Sequence, residues 1–191
     1  MAPPMMTTAV VATAVLISLS ILAQPGSNYR YAAFFLVPVV WVAYLLRRKA
    51  HLHPWHFLLF VAGVILHDLG TFGFYQKKFA GIWFDNYVHC YFGLVGGLIL
   101  LRYFRRGWRL SNTRSAAAAL FFVMGIGAIH ELYEWASTLV LGPERGMLKL
   151  PPYGDPTDTH RDLFSNLLGA VLAVVLSAVF PPRRIEVGRE R

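Results

Sequence analysis

The sequence predicts an all-α fold: a polytopic membrane helix bundle with six transmembrane helices and both termini in the cytoplasm. Three observations predict it. Of 191 residues, 56% are hydrophobic and only 15% charged, with a mean hydropathy of +0.48, too apolar for a soluble domain of this length. Six apolar stretches alternate with charged, Pro-rich or Gly-rich breaks, and a spanning helix needs about 20 mostly apolar residues. Finally, the basic residues are spread unevenly over alternate connections. Twelve of the 18 Lys and Arg fall on the side of the two termini and six on the other, which places both termini in the cytoplasm.

The first helix is expected over residues 7–23 and the second over 31–46, with Gln24-Pro25-Gly26-Ser27-Asn28 as the turn between them. The first segment lacks a basic leader and a small-residue cleavage site, so it reads as a retained helix rather than a signal peptide. The third helix is expected over 55–75, the fourth over 86–104, the fifth over 115–141 and the sixth over 162–180. Residues 1–180 make one helix-bundle domain and 181–191 a charged cytoplasmic tail. The stretch 142–160, with Pro143, Pro151, Pro152 and Pro156, is long for a bundle connection and is expected to form a lid over the outer mouth.

The net charge of +8 reports topology rather than nucleic-acid binding, so the expected partners are membrane lipids and no nucleic acid. The one cysteine, Cys90, excludes an internal disulfide and a thiolate metal site. The acids carry more information. Asp68, Asp85, Glu131, Glu134, Asp155, Asp158 and Asp162 all lie in or beside the third to sixth helices, and the alternating direction of those helices brings them to one depth on the outer side.

Angular spacing agrees with that convergence, because residues three or four apart share a helix face. Asp85 and His89 are four apart, His130, Glu131 and Glu134 fit one stripe, and Asp158, Asp162 and Asn166 repeat every four residues if the sixth helix begins early enough. An ionised side chain near the bilayer centre costs about 2.5–3.5 kcal/mol, so Asp68, Glu131 and Glu134 would together cost roughly 9 kcal/mol without compensation. Few internal Lys or Arg are available in these helices, which leaves a proton or a bound cation. Carboxylates with an imidazole suit a hard or borderline divalent ion such as Zn, Mn, Mg or Fe. His89, Glu131, Glu134, Asp158 and Asp162 are the expected metal ligands, and Asp85, Glu131 and Asp155 the expected catalytic residues, orienting a ligand or acting as base. Capping alone would also account for Asp85 with Asn86, and for Asp158 with Asp162, at the starts of their helices.

The runs Asp85-Asn86-Tyr87-Val88-His89, Glu131-Leu132-Tyr133-Glu134-Trp135 and Gly154-Asp155-Pro156-Thr157-Asp158-Thr159-His160-Arg161-Asp162 resemble, in order, three motifs of the YjdF-like family of small bacterial inner-membrane proteins. The run Asp158, Asp162, Asn166, Gly169 is similar to a shorter pattern in VanZ-like membrane proteins. The first resemblance implies a multi-pass protein of the bacterial inner membrane and no particular reaction. His130 does not clearly belong to the shared pattern.

Three functions fit these residues. The first is a divalent-metal-dependent hydrolase or transferase acting on a lipid-linked or amphiphilic substrate. The second is a proton- or cation-coupled transporter or channel, and the third a non-catalytic membrane scaffold.

Overall fold

The computed structural model describes residues 4–22, 32–70, 72–142, 147–148 and 156–180. Its order is α1 (Met5–Leu22), α2 (Ala32–Leu46), α3 (Pro54–Gly70), α4 (Phe84–Arg106), α5 (Asn112–Leu141) and α6 (Asp158–Val179), with a small two-stranded hairpin, β1 (Lys78–Phe79) and β2 (Ile82–Trp83), between α3 and α4. The turn expected at 24–28, the site residue Asp155 and the tail 181–191 lie outside the described residues.

Helices α1, α4, α5 and α6 are each long and apolar enough to cross a membrane; α2 and α3 are apolar but shorter, at 15 and 17 residues. The third helix stops at Gly70, five residues short of the expected Tyr75, because the chain turns at Gly73, whose φ of 88° lies in the left-handed region that glycine tolerates. The hairpin was not anticipated. Its turn residues Ala80 and Gly81 both have positive φ, which joins two antiparallel strands with Lys78 opposite Trp83 and Phe79 opposite Ile82.

Two cores organise the helices. Ala9, Ala12 and Leu16 of α1 pack with Val40 of α2 and with Phe57, Val61 and Val64 of α3. The Trp41 indole of α2 donates to Thr13 Oγ1 of α1 at 3.0 Å, satisfying a polar group among apolar neighbours. Leu101 and Phe104 of α4, Ala119 of α5 and Ala173 of α6 form the second core. Large apolar side chains point outward all along α5 and α6, among them Phe121, Ile129, Leu139, Phe164 and Val175. That is the surface of a helix pair solvated by lipid.

Helices α4 and α6 approach each other closely. A Cβ on Gly169 would lie 2.0 Å from the Cys90 carbonyl oxygen, and a Cβ on Gly93 would lie 2.3 Å from the Asn166 carbonyl oxygen, so the two backbones touch through glycine on both sides. Gly127 of α5 opens the third side, where a Cβ would come within 2.7 Å of the Asn166 amide nitrogen.

This packing makes a stability prediction. Gly169→Ala collides with backbone that cannot yield and is expected to destabilise the protein by about 1–3 kcal/mol in detergent unfolding. Gly125→Ala, which meets nothing within 4 Å, is expected to be neutral or to stabilise by up to about 1 kcal/mol.

Candidate metal centre

Because the α4–α6 crossing is so close, the first turns of these helices share one space. Asp85 and His89 stand one turn apart on α4, and Asp158, Asp162 and Asn166 follow at the same interval on α6, which begins at Asp158. Helix α5 contributes from its interior. At 30 residues it is about 45 Å long, and Glu131, well inside it, comes level with the starts of α4 and α6, where it meets His89.

His89 stands at the centre. Its Nδ1 meets the Asn166 side-chain amide at 3.1 Å, which leaves Nε2 facing the carboxylates: Asp85 Oδ1 at 3.6 Å, Glu131 Oε1 at 4.0 Å and Asp162 Oδ2 at 4.0 Å. One ligand atom each from Asp85, His89 and Asp162 can be chosen so that all lie within 4.8 Å of one another. The side chains of Asp162, Glu131 and His89 are 1%, 5% and 8% exposed, and Asp85, at 26%, forms the open side.

The hydrogen bonds stop short of satisfying this group. Asn86 Nδ2 donates to Asp162 Oδ1 at 2.9 Å, but the buried Asp162 Oδ2 and both buried Glu131 oxygens have no partner in ordinary hydrogen-bonding geometry, although Thr159 of α6 faces Glu131. Leaving buried carboxylate oxygens without a donor is expensive, more so when the group is ionised. Metal–ligand bonds of about 2.0–2.2 Å set ligand atoms up to about 4.4 Å apart around one ion, so small side-chain adjustments would let a divalent cation take Nε2 and the free oxygens together.

The remaining expected ligands sit one layer further out. Glu134 accepts from His130 Nε2 at 3.2 Å and reaches the centre through that imidazole, whose ring lies 5.6 Å from the His89 ring. Asp158 pairs with Arg161 at 2.8 Å. Thus Asp85, His89 and Asp162 converge on one point, Glu131 approaches it only through the His89 nitrogen at 4.0 Å, and Glu134 and Asp158 border it. Asp68 is buried near the C-terminal end of α3.

Two residues essential to this geometry were not among the expected site residues: Asn86, which holds Asp162, and Asn166, which holds His89. Their signal was present as position. Asn86 follows Asp85, and Asn166 continues the four-residue spacing of Asp158 and Asp162. The Asn166 Nδ2 faces His89 Nδ1 at 3.1 Å, which puts the ring proton on Nε2; a metal on Nε2 would require the proton on Nδ1 and the Asn166 amide reversed, with its oxygen toward the ring.

Residues 147–148 dock on the end of α5. Thr138 Oγ1 donates to the Leu148 carbonyl at 2.7 Å and the Met147 amide donates to Ser137 Oγ at 2.8 Å. The rest of the long connection expected to act as a lid falls largely outside the described residues.

Residues 4–183 match the family described as predicted membrane protein (DUF2238). The chain is 29% identical over 165 residues to the inner membrane protein YjdF of Escherichia coli (strain K12), covering 78% of each chain. No solved structure matches it.

The Asn86 contact yields a graded prediction. In chelator-treated protein, Asn86→Ala removes a donor to a buried carboxylate and is expected to lower stability by about 1–3 kcal/mol. Asn86→Asp sets a second carboxylate against Asp162 and is expected to lower it further; adding Mn²⁺ should narrow the gap between the two variants. Thermal unfolding in detergent measures both.

Proposed function

The chain belongs to the DUF2238 family of predicted membrane proteins and is a multi-pass membrane protein with a carboxylate and histidine cluster; from that premise we propose that it is a six-span metalloprotein of the bacterial inner membrane. In this reading both termini are cytoplasmic, the cluster opens to the outer side, and a divalent ion of Zn, Mn, Mg or Fe class is held by His89, Asp162 and Glu131 with Asp85. The observation that carries it is the His89 Nε2 with oxygens of Asp85, Glu131 and Asp162 within 4.0 Å, among them the buried Asp162 Oδ2, which has no hydrogen-bond partner.

The chemistry proposed is hydrolysis or group transfer on a lipid-linked or amphiphilic substrate. The ion would polarise a phosphoryl or carbonyl oxygen and lower the pKa of a bound water. Asp85, the most open of the four groups, is placed to take the proton of that water, while Asn166 and Asn86 fix the orientations of His89 and Asp162. An amphiphilic substrate fits the depth of the cluster. Asp85 is the second residue of α4 and Asp162 the fifth of α6, and in this reading the centre would lie at the level of lipid headgroups rather than mid-bilayer.

A metal centre is preferred to a transport path by the distribution of buried carboxyl groups. Among the described residues, the buried carboxyl groups of Asp68, Glu131 and Asp162 lie toward this end with His89, Thr138, Ser165 and Asn166, whereas the other end buries Ser115 and the His56 Nδ1 and Arg105 Nε atoms but no carboxyl. A through-path for protons or cations would need such groups in both halves.

Elemental analysis of detergent-purified protein tests the proposal. About one divalent ion per chain is expected in the native protein, with loss of most of it in His89→Ala and in the Glu131→Gln, Glu134→Gln double variant. Equal, negligible metal in all three preparations would overturn it.

A further inference from the structure

At the end of the bundle away from the carboxylates, the turn 47–53, the starts of α1 and α3 and the end of α4 line a shallow, open depression of about 320 Å³. Three arginines line it: Arg47, Arg48 and Arg102, with Met5 and Leu52 as apolar walls. Its size falls within the range of about 300–1,000 Å³ typical of small-ligand sites.

Two of the guanidinium groups are held in place by the protein itself. Arg47 lies over the Tyr44 ring at 3.9 Å and donates through Nη1 to the Tyr44 carbonyl at 2.7 Å. Arg102 donates through Nε to the His51 carbonyl at 2.7 Å, from a turn in which His51 takes a φ of 48°. Each arginine therefore spends one N–H on fixing its own orientation and keeps the rest of its donor fork. Among the described residues none of the three is paired with a carboxylate, since the ion pairs there involve His89, His130 and Arg161.

The field of this cluster is felt by its neighbour His53, whose imidazole is held below its ordinary value by burial, by Arg102 and by Arg106. The cationic character of the cleft centres on Arg47, Arg48 and Arg102, with His51 also in its lining. The residues next in sequence to the lining, Met6, Leu46 and Trp55, are exposed and apolar. Aromatic and basic side chains beside such a surface mark the interfacial level of a bilayer.

We propose that this cleft is a binding site for the phosphate-bearing headgroup of an anionic membrane lipid, held by Arg47, Arg48 and Arg102 with its glycerol end against Met5 and Leu52. Fixed arginine forks match a phosphodiester through paired N–H donors, and the apolar neighbours continue into the hydrocarbon where the acyl chains lie. The site is distinct from the carboxylate centre. Arg102 and Asp85 are 17 residues apart on one helix, about 25 Å, so a lipid here does not touch the metal ligands.

Native mass spectrometry of the delipidated full-length protein tests this with three probes: dioleoylphosphatidylglycerol, dioleoylphosphatidylcholine and inorganic phosphate. Phosphatidylglycerol is expected to bind on the order of tenfold more tightly than phosphatidylcholine, and inorganic phosphate not to compete at equal concentration. The Arg47→Gln, Arg102→Gln double variant should lose that preference. Arg48→Gln, which breaks no hydrogen bond described within the protein, should weaken phosphatidylglycerol at least threefold even if the double variant fails to fold. Arg114→Gln, of equal charge change outside the cleft, should bind as the native protein does. Equal weakening by Arg114→Gln, equal binding of the two lipids, or competition by inorganic phosphate at equal concentration would each overturn the proposal.

Discussion

Carboxyl groups buried with few hydrogen-bond donors are the constraint on which this molecule is organised. An apolar bundle has little water with which to solvate a carboxylate, yet Asp162 and Glu131 are almost completely enclosed and meet at one imidazole. Such a group is stable only if protons, donors or a cation compensate it. Asn86 provides part of the compensation, and Arg161, the nearby cation on α6, is engaged by Asp158. The uncompensated remainder is what a divalent ion would satisfy.

The cluster exists because α4 and α6 pack backbone to backbone. Gly93 and Gly169 allow that approach, and with Gly127 they leave a slot into which the Asn166 amide fits beside His89. The rest of the α4–α6 contact continues below it, where a Cβ on Gly97 would lie 2.7 Å from the Ala173 methyl. Packing and site are therefore one feature: any side chain that separates these helices also separates the imidazole from the carboxylates.

Much of this was legible in the sequence, for physical reasons that differ by residue. The apolar segments were visible because lipid demands unbroken hydrophobicity, and the four-residue interval of Asp85 and His89 was visible because a helix repeats that way. The early start of α6 at Asp158 brought Asp162 and Asn166 onto one face, as that interval requires. Rotation between helices was not legible. Nothing in the spacing of His130, Glu131 and Glu134 distinguishes the one that points at His89 from the two that pair with each other. The hairpin after α3 was also hidden, because two-residue strands carry too little alternation to read, and the turn rests on an alanine with positive φ.

The two ends of α4 divide the molecule chemically, with acids and imidazoles at Asp85 and His89 and arginines from Arg102 onward. X-ray absorption spectroscopy on protein stripped and reloaded with one equivalent of Zn²⁺ or Mn²⁺ tests the central claim most directly. The account predicts a first shell with one imidazole nitrogen and at least two carboxylate oxygens at about 2.0–2.2 Å, with the imidazole contribution lost in His89→Ala. A shell of oxygen alone, or an imidazole signal unchanged by that substitution, would contradict it.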